Sequence, residues 1–140
     1  VISSNGIVGV VLRVSEHYST VMSVLHRQSR VSASVRHSGA FGRLRWRGMD
    51  SRYLNLEDVP RYENVNIGDT IQTSGYSNIF PPNILIGTVD AVNVDTLEGG
   101  GNYYMIKVRL SNDLARLQNA YIAVNKHYLE LKAIEPQEPR

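Results

Sequence analysis

The chain has 140 residues, of which 42% are hydrophobic, with no cysteine and a formal net charge of +2. That length builds one ordinary domain or two small ones sharing an interface, and the missing thiols exclude disulfides and thiolate zinc sites, so packing must hold the fold. No apolar run approaches the roughly 20 residues that cross a bilayer, and Val1 opens mid-pattern without a charged leader, so no signal peptide or anchor is expected and the chain reads as a trimmed soluble piece.

Valine and isoleucine recur in short runs broken by Gly, Ser, Asn and Asp, which predicts many short strands and an all-β protein. The first strand is predicted over Gly6 to Val14, with a turn near Glu16-His17 and a hairpin partner over Thr20 to Leu25. Arg30 to Arg36 alternates Val31, Ala33 and Val35 with serines, and Ser38-Gly39 turns the chain into Phe41 to Gly48. On that strand the period of two puts Leu44 and Trp46 on one face, for burial, and Arg43, Arg45 and Arg47 on the other. Residues 26–56 carry arginines 27, 30, 36, 43, 45, 47 and 52 against Asp50 alone, so a basic patch is expected on a molecule whose remainder is acidic.

Tyr53, Leu54 and Leu56 read as a short strand. The polar stretch 57–66 with Pro60 is the expected junction between two subdomains, residues 1–60 and 61–134, followed by a disordered tail over 135–140. Asp69 opens a strand over Thr70 to Thr73 that stops at Ser74-Gly75, where positive φ is tolerated. Phe80-Pro81-Pro82 predicts a stiff surface loop, with Phe80 either plugging a core edge or facing a partner. A strand over Ile84 to Val94 follows, then a glycine hairpin tip at 98–102 and a returning strand over Tyr103 to Leu110. Asn112 or Asp113 caps one helical turn over Leu114 to Leu117, and Ala120 to Val124 and Tyr128 to Ala133 read as closing strands.

Several motifs together carry a resemblance: Gly6-Ile7-Val8-Gly9-Val10-Val11, Ser38-Gly39 with Gly42-Arg43-Leu44, Ile67-Gly68-Asp69-Thr70 running into Thr73-Ser74-Gly75, Ile79-Phe80-Pro81-Pro82, Gly87-Thr88-Val89, and Asp113-Leu114-Ala115-Arg116-Leu117. In these the chain resembles the extracytoplasmic β-domain of the rod-shape-determining MreC family over nearly its whole length. It departs at Asn83 and Leu85, where the family often has glycine and proline, and at Tyr76, where a smaller residue is common; Asn83 can hold the same positive φ at modest cost. The resemblance implies two small β-barrels packed together. It also implies a non-enzymatic scaffold of the cell-elongation machinery, outside the cytoplasmic membrane. The implied partners are the elongation penicillin-binding transpeptidase, MreD and further copies of itself, with membrane contact only through segments outside this chain.

The family's barrels look like those of chymotrypsin-type proteases, and histidines 26 and 37, aspartates 50, 58 and 69, and Ser74 follow in His, Asp, Ser order. The glycine-rich frame of an oxyanion hole is missing around Ser74, so Ser74 is read as a turn residue and Asp69 as an acceptor for turn amides. The scattered histidines predict no metal site, and no cofactor is expected. The arginine strand with Trp46 and Tyr53 leaves one alternative, an OB-like single-stranded nucleic-acid binder; the acidic remainder and Trp46 on the opposite face argue against it. Partner contact is expected at Tyr76, Ile79, Phe80 and Pro81 on the loop and at Phe41, Arg45 and Tyr53 on the arginine-bearing sheet.

Overall fold

A computed structural model describes residues 1–76, 79–95 and 101–124. The expected strand at 128–133, the tail at 135–140 and most of the glycine tip lie outside the described residues. Among the described residues there are ten strands: β1 (Ile2–Ser3), β2 (Gly6–Ile7), β3 (Gly9–Val14), β4 (Ser19–Ser23), β5 (Val31–Val35), β6 (Phe41–Arg45), β7 (Tyr53–Pro60), β8 (Thr70–Thr73), β9 (Leu85–Asp95) and β10 (Tyr103–Leu110). A single 3₁₀ turn, Leu114–Arg116, follows, and Asp113 caps it by accepting the Ala115 amide at 3.1 Å.

Six strands close an antiparallel barrel in the order β10-β7-β6-β5-β8-β9. Alternation does the sorting. Val31, Ala33 and Val35 of β5, Leu44 of β6, Leu54 and Leu56 of β7, Ile71 of β8, and Ile106 and Val108 of β10 all point into one continuous core. One layer runs through direct register partners, Val31 to Leu44 to Leu56 to Ile106 to Val92. Where β9 crosses β10 the backbones come so close that a Cβ on Gly87 would lie 1.9 Å from the Arg109 carbonyl oxygen.

Bulges supply the curvature that closure needs. Asp58 is the extra residue of β7, at φ +64°, and Asp90 is the extra residue of β9 opposite Lys107 and Val108. The Asp58 bulge explains why the junction expected at 57–66 is not one. The inward set Leu54, Leu56 slips by one to Val59, breaking the period of two, while the strand itself continues to Pro60, paired with Tyr103. β5 to β7 precede residue 60 and β8 to β10 follow it, so the expected division between residues 60 and 61 passes through one hydrogen-bonded barrel.

Outside the barrel, β1 pairs with β2 and β3 with β4. The predicted first strand breaks at Val8, into β2 and β3. The Ile2 and Tyr121 backbones exchange hydrogen bonds of 2.8 and 2.7 Å, so the expected strand at 120–124 is a single bridge that ties the two ends of the described chain together. Buried Asn112 fastens this region to the barrel, its Nδ2 donating to Ser3 Oγ at 2.7 Å and to the Ile7 carbonyl at 3.2 Å.

Candidate partner-binding surface

The seven residues expected to meet a partner separate into three settings. Phe80 is 8% exposed and joins the barrel core, so of its two expected roles it takes the plug. It is corrected from a contact residue to a support. The loop around it is pinned by Thr73, whose Oγ1 donates to the Pro81 carbonyl at 2.6 Å and accepts the Ile84 amide at 2.9 Å. Asn83 holds φ +68° there, and its carbonyl-side amide oxygen accepts Gln72 Nε2 at 2.9 Å.

With Phe80 anchored inward, its neighbours face outward. Tyr76 is 82% exposed, Ile79 is 60% exposed, and Pro81 is exposed. Phe41, at the start of β6, meets Tyr76 with ring centroids 4.8 Å apart and planes tilted by 54°. An aromatic pair that joins a barrel strand to the loop is an apolar contact with few rotatable bonds to fix when covered.

Arg45 and Tyr53 lie elsewhere on the outer wall. Arg45 is four residues along β6 from Phe41, about 13 Å at strand rise. Tyr53 carries Lys107 Nζ 4.1 Å from its ring centroid and Arg52 at 5.4 Å. Lys107 and Arg109 of β10 complete this basic face, beyond the arginine window of residues 26–56 in which the sequence predicts it. Their signal was present in the alternation of β10, where both fall on the outward side. Asp50 bonds Arg52 at 2.8 Å, and the guanidinium and backbone amide of Arg52 lower its carboxyl from 3.8 to about 2. Trp46 is half-buried against the core rather than fully enclosed, and its Nε1 donates to the Asp50 carbonyl at 3.0 Å. It is therefore not a stacking platform.

The residues in protease order do not converge. His37 Nε2 lies 3.1 Å from Asp69 Oδ2, and that same oxygen accepts the Asn66 amide at 2.8 Å, as expected of a turn acceptor. Asp69 and Ser74 flank opposite ends of β8, about 16 Å apart for an extended chain. Ser74 Oγ accepts the Tyr76 amide at 3.3 Å, a turn bond. Among the described residues no three His, Asp or Glu side chains group as metal ligands, and no helix is long and apolar enough to cross a membrane.

The sequence model of the family described as rod shape-determining protein MreC, barrel core, matches residues 1–124. The cell shape-determining protein MreC of Listeria monocytogenes is 30% identical over 100 residues, which is 69% of this chain and 34% of that protein. The chain thus spans about a third of the length of this curated relative. A solved structure of Listeria monocytogenes MreC superposes with a TM-score of 0.72 at 28% identity, covering 81% of this chain and 54% of that one. A solved complex between penicillin-binding protein PBP2 and MreC from Helicobacter pylori aligns with a TM-score of 0.61 at 20% identity, covering 82% and 71%. With a family match that takes in every described strand, and a fold shared with these structures, the chain belongs to the MreC family of rod shape-determining proteins.

Proposed function

We propose that this chain is a non-enzymatic scaffold of bacterial cell elongation that docks the peptidoglycan transpeptidase through the Phe41–Tyr76 face. One observation carries the reading: an exposed, tilted aromatic pair joins Phe41 of β6 to Tyr76 of the loop in which Phe80 is buried and Ile79 and Pro81 are exposed. Such a preformed apolar anchor suits protein recognition, where rigid aromatics supply most of the binding energy. The Helicobacter pylori complex supports the choice of a penicillin-binding protein as partner. In this reading the domain works on the extracytoplasmic side of the membrane, and membrane attachment, MreD contact and self-association depend on the longer protein.

The second small barrel of the reading is built from the two chain ends rather than from residues 61–134. The Ile2–Tyr121 bridge, the β3–β4 hairpin and an open apolar groove of about 680 Å³ lined by Val10, Val11, Val14, Ile122 and Val124 support that assembly.

Biolayer interferometry against the purified ectodomain of a PBP2-type transpeptidase tests the function. Phe41→Ala combined with Tyr76→Ala weakens binding by about tenfold or more, as expected of hot-spot residues. Undiminished binding by a folded double variant would overturn the assignment of this face.

A further inference from the structure

The basic wall of the barrel has a geometry of its own, independent of whatever meets Phe41 and Tyr76. Arg45, Asn55 and Lys107 are successive register partners across β6, β7 and β10, which sets Arg45 and Lys107 about 10 Å apart. Arg109 stands two residues beyond Lys107, opposite Tyr53, and Arg43 stands two residues from Arg45. Among the described residues the nearby carboxylates are Asp50, Glu57, which stands opposite Arg43 in register, and Asp90. Asp50 is held by Arg52, Glu57 accepts Arg47 Nε at 3.0 Å, and Asp90 sits in the β9 bulge beside Lys107. Among the described residues Arg43, Arg45, Lys107 and Arg109 make no salt bridge.

We infer that this face is a second docking surface, one that takes a carboxylate-rich segment of a protein partner. Arrangement decides among anionic partners. The cations are arginines 43, 45, 47, 52 and 109 with a single lysine, 107. The planar guanidinium fork pairs with carboxylate and phosphate alike, but a flat anionic leaflet would also meet the Asp50, Glu57 and Asp90 carboxylates that stand among these cations, whereas a peptide segment can lay its carboxylates along the Arg43–Arg45 and Lys107–Arg109 rows. Single-stranded nucleic acid needs bare rings for base stacking, but Tyr53 is already in contact with Lys107 and Arg52, and Trp46 is packed against the core. Arg52 and Arg47 are ordered by Asp50 and Glu57, which lowers the entropic cost of presenting this wall. Along β6 Phe41 lies about 7 Å from Arg43 and about 13 Å from Arg45, so the two surfaces adjoin at Arg43 while the Arg45, Lys107 and Arg109 part stands clear of the aromatic pair.

The test uses the 140-residue chain and fluorescein-labelled poly-L-glutamate, followed by anisotropy. Binding is expected to weaken as salt rises and to fall about tenfold or more in Arg45→Glu/Arg109→Glu. Arg45→Lys/Arg109→Lys keeps the charge but loses the fork, and is expected to bind several-fold less tightly than the parent chain. Phe41→Ala/Tyr76→Ala binds poly-L-glutamate unchanged, which separates this surface from the transpeptidase reading. Far-ultraviolet circular dichroism checks folding; Arg43→Glu, on the same row, replaces the double reversal if that variant misfolds. The proposal is overturned if poly-L-glutamate binding survives charge reversal, if the lysine variant binds as well as the parent, or if phosphatidylglycerol vesicles or oligothymidylate bind more tightly through the same residues.

Discussion

Phe80 and Tyr76 show how two aromatics four residues apart come to opposite uses. Phe80 fills the core below the loop, so Phe80→Ala removes buried surface and leaves a void; a loss of about 3–5 kcal/mol in urea unfolding is expected. Tyr76→Ala, at an exposed ring, should cost under about 1 kcal/mol while changing partner affinity. Equal stability losses for the two would contradict this division. The sequence marked both rings, because the double proline and Gly75 delimit their loop. It left the orientation of Phe80 open, since inward and outward rotations depend on the core opposite.

Asp50 adds a titration at the same scale. Its folded value, about 2, lies below the ordinary 3.8, so its bond to Arg52 contributes stability above about pH 4 that is lost as pH falls toward 2. Trp46, the single tryptophan, donates to the Asp50 carbonyl and so reports on that turn. An acid step in Trp46 fluorescence centred near pH 2 is expected, and Asp50→Asn should abolish it.

Among elements, β9 and β10 carry the tightest constraint. Gly87→Ala drives a Cβ into the Arg109 carbonyl, which only a shift of the backbone can relieve. A loss of at least about 1–3 kcal/mol, read from the urea midpoint, is the expected outcome; a midpoint equal to the parent's would show that the two strands separate easily. Strand positions in β5, β6, β8, β9 and β10 were readable from alternation because each buries one face. β7 runs on to Pro60, past the short strand expected at Tyr53 to Leu56 and into the stretch 57–66 expected as a junction. The bulge at Asp58 hides the strand's second half, and a bulge answers to barrel closure rather than to local propensity.

For the whole molecule, the closed barrel and the β3–β4 hairpin should differ in local stability. Among the described strands β3 and β4 pair with each other and with no third strand, Gly9 alone bonding back to Val1, and they leave Leu12, Val14 and Val21 exposed, whereas Leu44, Leu56 and Ile106 are enclosed on a closed barrel sheet. Hydrogen exchange is expected to be faster at β3 and β4 amides than at those three core positions; uniform protection would mean one cooperative unit. The amino-acid order by itself determined an all-β chain, the turns at Ser38-Gly39 and Ser74-Gly75, the capped turn after Asp113 and an arginine-bearing strand, because each follows from side-chain alternation or from one residue's backbone freedom. Only the tertiary structure decided that β5 to β10 close a single barrel across residue 60, that Phe80 turns inward, and that Lys107 and Arg109 join Arg45 and Tyr53. These are pairings between residues far apart in the chain, and strand register across a closed sheet is set by all its strands together.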